Sequence, residues 1–143
     1  MYGAMIGDVV GSVCEFQPIK TKNFELFPKK ATFTDDTVMT IAVARALISY
    51  KKHGGDFKEI LVEQMQYLGN KYPHAGYGGM FFEWLHDPNP EPYNSYGNGS
   101  AMRVSPIGLY ANSMEEALDL AKLSAEVTHN HPEGIKGAEA TAS

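Results

Sequence analysis

Two adjacent carboxylates, Asp35 and Asp36, stand between Thr34 and Thr37, directly ahead of an apolar run from Val38 to Tyr50. Neighbouring carboxylates repel, and a hard divalent cation such as Mg²⁺ or Mn²⁺ relieves that repulsion through oxygen ligands. Threonine hydroxyls could complete the ligand set. A plainer reading competes. Thr34 or Asp35 suits a helix N-cap, with the next acid in the first turn, where the helix dipole favours anions by roughly 0.3–1 kcal/mol each. The same dipole opposes a cation, so both negative charges would be needed to hold one there. Local sequence leaves both readings open.

Three further stretches carry chemistry-bearing residues. Asp8, Ser12 and Glu15 follow one another at steps of four and three, so a continuous helix would put them on one face. They flank Gly3, Gly7 and Gly11, a ridge that implies close packing by a helix or a ligand. The alternative is a solvated polar face. Tyr96-Gly97-Asn98-Gly99-Ser100-Ala101-Met102-Arg103 places two glycines before an apolar helical pattern, which suits backbone N–H groups turned toward an anion. Most Gly-Asn-Gly tripeptides are simply turns. Thr128-His129-Asn130-His131-Pro132 offers two histidines, read as metal ligands, a nuclease fragment, helix-end charge partners or a ligand contact. No cysteine or further histidine lies at zinc-finger spacing, which disfavours zinc. His53, His74 and His86 are isolated.

The elements that must position these residues read as helices. The first covers the glycine ridge between Met1 and Phe16. The second runs from Val38 to Lys51-Lys52, with Val38, Ile41, Ala42, Leu47 and Ile48 on its apolar side. Asp56 caps a third, with Phe57, Ile60, Leu61 and Leu68 at helical spacing and Gly69-Asn70 at its end. Met80 to His86, Ala101 to Tyr110, a Ser113/Glu116 capping box leading to about Val127, and Glu133 to Ser143 behind Pro132 supply the rest. Small residues at Ala42, Ala44, Ala46 and Ala138 permit close helix packing. Gln17 to Thr32 is a basic, proline-broken connection, a surface excursion or a lid, with Phe24, Leu26 and Phe27 expected to pin it to the body. No stretch alternates as a strand does, so the fold class is all-α.

Composition narrows the function. A length of 143 residues with 43% hydrophobic and 20% charged content fits one ordered domain rather than a disordered chain. A net charge of −5 argues against non-specific nucleic-acid binding, which rests on basic patches. No apolar run approaches the roughly 20 residues of a membrane span, and no signal peptide is visible. Cys14, the single cysteine, suits a reducing, cytoplasmic location. The last helix ends without a capping signal, so a chain cut inside a larger fold is expected, with either self-association or extra, poorly ordered surface.

Four segments occur in one order: Gly7-Asp8-Val9-Val10-Gly11-Ser12 with Glu15-Phe16; Phe33-Thr34-Asp35-Asp36-Thr37; Gly97 to Arg103 with Pro106; and Thr128-His129 followed by Gly137-Ala138. Together they resemble the ADP-ribosylglycohydrolase family, which includes the dinitrogenase reductase activating glycohydrolases. The resemblance covers essentially the whole chain and about the N-terminal half of the usual family domain. It implies an orthogonally packed, all-helical fold, here truncated, with a pair of Mg²⁺ or Mn²⁺ ions. It implies metal ligation by Thr34, Asp35 and Asp36, and catalytic roles for Glu15, Asp35 and Asp36. Gly97, Asn98, Gly99, Ser100, Met102 and His129 would line an ADP-ribose cleft. The family's remaining metal ligands come from an Asp-x-Asp-Thr segment that these residues lack. The implied activity is hydrolysis of the glycosidic bond between ADP-ribose and a protein side chain or small molecule. The alternative is a catalytically incomplete relative that binds ADP-ribose or serves as a structural or interaction protein. A different metal-dependent phosphohydrolase ranks last, because no histidine–aspartate pair lies at helical ligand spacing.

Overall fold

The computed structural model describes all residues from Met1 to Ser143. Eight helices and no strands make up the chain: α1 (Tyr2–Gly11), α2 (Asp35–His53), α3 (Phe57–Lys71), α4 (Gly79–His86), α5 (Gly99–Met102), α6 (Ser105–Tyr110), α7 (Met114–Glu126) and α8 (Pro132–Ala142).

α2 is the central element. Thr34 caps it, its hydroxyl accepting from the Asp36 N–H at 3.3 Å. Lys51, Lys52 and His53 occupy the last turn, and Gly54 leaves the helix at φ +68°, in the left-handed region that favours glycine. Val38, Met39, Ala42, Val43, Ala46 and Leu47 form its buried stripe, at the i, i+4, i+8 spacing of one helix face. Ile48 falls one position off that stripe and is exposed, contrary to the sequence expectation. α3 lies along α2, while α1, α5 and α6 meet it elsewhere on its surface.

Asp56 caps α3 through bonds to the Lys58 and Glu59 N–H groups at 2.7 and 3.1 Å. This helix runs past the expected stop at Gly69 to Lys71. Gly69 serves packing rather than termination, since a Cβ there would lie 2.6 Å from a methyl of Leu85 in α4.

The single helix expected between Ala101 and Tyr110 is broken into α5 and α6. Pro106, in the first turn of α6, has no N–H to give to the Met102 carbonyl four residues back. That carbonyl instead accepts from the hydroxyl of buried Thr40 in α2, at 3.4 Å. Ser113 caps α7 as expected, but the Glu116 carboxylate closes on the Asn112 N–H at 2.7 Å, one residue earlier than in a standard capping box. α8 packs across α7, α5 and α6, with Ala138 fully buried.

Two expectations about the N-terminal region meet different outcomes. α1 has no buried residue, and nothing lies within 4 Å of where a Cβ would stand on Gly3, Gly7 or Gly11. No helix of this chain packs on the glycine ridge; Gly7 and Gly11 instead line a groove with Asp8, Thr34 and Asp36. Phe24, Leu26 and Phe27, expected to pin the long connection, are 44%, 55% and 60% exposed. That connection crosses the surface without an apolar anchor from these three.

Replacing Gly69 with alanine sets a helix-propensity gain of about 1 kcal/mol against an overpacking cost of about 1–3 kcal/mol. Leu85 is 2% exposed and has little room to yield. The Gly69→Ala chain is expected to unfold at lower denaturant than the parent; a higher midpoint would show that the α3–α4 contact is looser than described.

Candidate functional site

The acid pair is positioned by a residue outside its own motif. Asp8, on α1, receives the Thr34 N–H at 2.8 Å and the Thr34 hydroxyl at 2.6 Å on its two carboxylate oxygens. It also receives the Thr37 N–H at 3.2 Å and the Thr37 hydroxyl. Four donors match the acceptor capacity of one carboxylate. The threonines around Asp35 and Asp36 are therefore bound inward, to Asp8. Thr34 keeps a lone pair for a further partner, but its proton is committed. Sequence alone leaves the Asp8 stripe open between a solvated polar face and a functional one and gives Asp8 no role in the site; the two threonines bracketing the acid pair are the available signal.

Asp35 and Asp36 are left without a cation. The ion pairs of the chain are Lys58–Glu126 and Lys136–Glu133, both on other elements. Burial, then the neighbouring charge of Asp36, raises the Asp35 carboxyl to about 6. Burial, followed by the charges of Asp8 and Glu15, raises Asp36 as well. The Tyr77 hydroxyl has no hydrogen-bond partner and is pushed up to about 12 by burial and by Asp35.

α1 ends at Gly11, so Glu15 lies in the turn beyond it and not on a shared helical face with Asp8. It is exposed, yet it lines the same groove as Asp8, Asp36 and Thr34. Ser12 turns inward: its hydroxyl donates to the Val9 carbonyl at 2.9 Å and accepts from the Thr32 N–H at 3.2 Å.

Beside this acidic groove is a cavity of about 210 Å³ walled by Asp35, Gly97, Asn98, Gly99, Met102, Arg103 and His129, with Gly78 to Phe81, Tyr93 and Ser95 opposite. Asn98 and Met102 belong to both depressions. The cavity is smaller than the roughly 300–1,000 Å³ of a usual small-molecule site, and the acidic groove adjoins it at these two residues. Gly99 is required by close approach, because a Cβ there would lie 2.8 Å from the His129 ring. Ser100 does not line the cavity; its buried hydroxyl donates to the Gly134 carbonyl at 2.7 Å and ties α5 to α8.

Behind the cavity is a buried polar set. The Arg103 guanidinium, 1% exposed, donates through Nη2 to the Ser124 carbonyl at 2.6 Å and to the Thr128 hydroxyl at 3.0 Å. It thereby satisfies a carbonyl at the end of α7 whose helical partner, the Thr128 N–H, bonds Ala125 instead. Burial lowers Arg103 to about 10, and burial with the Arg103 charge lowers His129 to about 4. Sequence alone gives no role to Arg103, Tyr93 or Ser95. Arg103 was visible as the last residue of the Gly97 segment.

The donor set of the acid pair has the chemistry for a hard cation: oxygen ligands, uncompensated charge and partial burial. It is incomplete, since no three histidine, cysteine, aspartate or glutamate side chains converge on a point that could hold a metal ion. Asp35, Asp36 and Thr34 would supply part of a coordination sphere.

An all-helical chain with an acid pair at a helix start, next to a cleft of glycines and one buried histidine, defines a class of helical cleft proteins. The chain belongs to the ADP-ribosylglycohydrolase family, whose family model matches residues 1–143. It is 30% identical to the ADP-ribosylhydrolase ARH3 of Mus musculus over 95% of this chain and 44% of the relative. The Homo sapiens ARH3 is 30% identical over 95% of this chain and 45% of its own length. The uncharacterized protein YegU of Escherichia coli (strain K12) is 27% identical over 96% and 49%. The chain thus spans about half the length of the curated relatives it matches. No helix is long and apolar enough to cross a membrane.

Asp8→Ala strands four donors around a charged acceptor's site and is expected to cost about 2–3 kcal/mol. It should also release α1, seen as early amide exchange across Val9 and Val10; unchanged protection there would contradict the bracket. Asp36→Asn removes the charge nearest Asp35. Because the folded Asp35 midpoint is raised, its contribution to stability is full below the unfolded carboxyl value of about 4. That contribution is lost as pH rises through about 6. The variant should therefore titrate Asp35 below the parent's midpoint in metal-free buffer and melt higher at pH 8. A lower melting temperature there would show that repulsion does not govern the pair.

Proposed function

We propose that this chain forms the N-terminal part of a single ADP-ribosylglycohydrolase-like domain and supplies one half of its active site. The reaction is hydrolysis of the glycosidic bond joining ADP-ribose to a protein side chain or a small molecule. One observation carries the reading: Asp35 belongs to the glycine–histidine cavity while its neighbour Asp36 belongs to the adjoining acidic groove. A substrate's anionic and polar portion in the first would put its scissile end at the second.

In this reading Asp35 and Asp36, with the free lone pair of Thr34, hold a divalent cation, Mg²⁺ or Mn²⁺. The bound ion would supply Lewis-acid polarisation and offset negative charge at the reacting centre. The chain's own residues do the rest. Gly97, Asn98 and Gly99 allow a ligand to approach the backbone closely, and Met102 packs against it from the wall common to both depressions. His129 contacts the ligand from below the glycine turn. Glu15, exposed at the groove's rim, accepts or returns a proton at the glycosidic oxygen or the attacking water. Asp8 holds the threonines and hence the acid pair in place.

The incomplete convergence of metal donors favours a second reading, binding of ADP-ribose without turnover. Calorimetric titration of the chain with ADP-ribose, with and without Mg²⁺, separates the two when paired with an assay for ADP-ribose release. Metal-dependent release supports hydrolysis; metal-independent binding without release supports the second reading; no binding in either condition defeats both.

Gly99→Ala tests the cleft directly. The added methyl meets the His129 ring, so the variant is expected to lose ADP-ribose affinity by about tenfold or more, a change of about 1.4 kcal/mol, with its helical content intact. Parental affinity in a folded variant would remove the glycine turn from the site.

A further inference from the structure

The buried set behind the cavity carries a definite arrangement of protons. Thr128 is fully buried, and its hydroxyl oxygen lies 3.0 Å from Arg103 Nη2 and 2.7 Å from His129 Nδ1. A guanidinium can only donate, so Arg103 occupies one lone pair of Thr128 Oγ1. The hydroxyl proton then needs an acceptor, and Nδ1 is the one within reach. A proton on Nδ1 would leave two hydrogens facing each other or the threonine hydrogen buried without a partner. His129 must therefore accept at Nδ1 and carry its proton on Nε2.

We propose that Thr128 and Arg103 are positioning residues that hold His129 as the neutral Nε2–H tautomer, so that the cleft offers a hydrogen-bond donor, not a base, to an acceptor oxygen at the Gly97–Gly99 turn. The ring's orientation agrees. Its Cε1 and Nε2 atoms face the glycines, 2.8 and 2.9 Å from where a Cβ of Gly99 would be. The titratable groups around the ring are Arg103 from the α5–α6 turn, Tyr93 at 5.9 Å between ring centroids, and Asp35 across the cavity. Arg103 disfavours a second positive charge on the imidazole, as does burial. A donor here selects ligand groups rich in acceptors, such as a diphosphate or a ribose oxygen. This assignment rests on the proposed cleft for its ligand, but not for the proton arrangement itself.

The test is nitrogen-15 NMR of the histidine rings in the full chain at pH 7. The parent should show His129 Nδ1 in the unprotonated range, Nε2 in the protonated range, and a slowly exchanging Thr128 hydroxyl proton. Thr128→Ser should keep this pattern. Thr128→Val should reduce the ratio of Nε2–H to Nδ1–H tautomer by about tenfold or more. A parental ring that is protonated on Nδ1, or charged, or lacks the hydroxyl signal overturns the assignment, whether or not the valine variant folds. A folded valine variant with the parental ratio also overturns it. Adding ADP-ribose should shift the Nε2 resonance. If the tautomer pattern holds and ADP-ribose moves nothing, the ligand reading fails while the proton arrangement stands.

Discussion

One carboxylate organises the acidic half of the molecule. Asp8 receives two N–H groups and two hydroxyls from the turn that starts α2. Charge-assisted bonds of this kind are roughly twice as strong as neutral ones, and α1 has little else to hold it, since none of its residues is buried. The same four bonds, with the Asp35 N–H donated to the Ala75 carbonyl at 2.8 Å, hold the Thr-Asp-Asp-Thr turn and so position Asp35 and Asp36. Docking and site geometry share one interaction.

The price of this arrangement is electrostatic. Asp8 is satisfied by donors, whereas Asp35 and Asp36 pair with no cationic side chain, and burial foremost raises both from the usual carboxylate value. The α2 N-terminus eases this only in part, because a helix dipole is worth about 0.3–1 kcal/mol per charge at the surface. A site that holds uncompensated acids is less stable than one that pairs them, and clustering of such groups beside a cleft is what a functional site characteristically shows. Across the cavity the balance is reversed. Arg103 is a buried cation without a carboxylate, kept soluble in the interior by a carbonyl and a hydroxyl. Asp35 and Arg103 thus border the same cavity, with the guanidinium turned to protein acceptors behind it.

Much of the helical frame was legible because it rests on local signals. Thr34, Asp56 and Ser113 are caps whose side chains answer the N–H groups two or three residues on, and such bonds need nothing from the rest of the chain. The break at Arg103–Val104 was not anticipated, though its cause, Pro106, is local; the apolar pattern around it masked the missing N–H. The glycine ridge of α1 was less legible for a different reason. Spacing shows that Gly3, Gly7 and Gly11 share a face, but only coordinates show that nothing within the chain meets it. Phe24, Leu26 and Phe27 failed likewise, because hydrophobicity does not reveal whether a core is within reach of a loop.

By itself, the sequence determined the all-α class, the caps, the acid pair, the glycine turn and their order, from which the family resemblance arose. It could not reveal that Asp8 rather than solvent answers Thr34 and Thr37, from 26 and 29 positions away. Nor could it reveal that Ser100 faces α8 instead of the cleft, or that Arg103 and Thr128 stand behind His129. Those facts depend on bonds between side chains far apart along the chain. Such bonds leave no periodic trace, since which donor meets which acceptor is settled only when helices dock and exclude water.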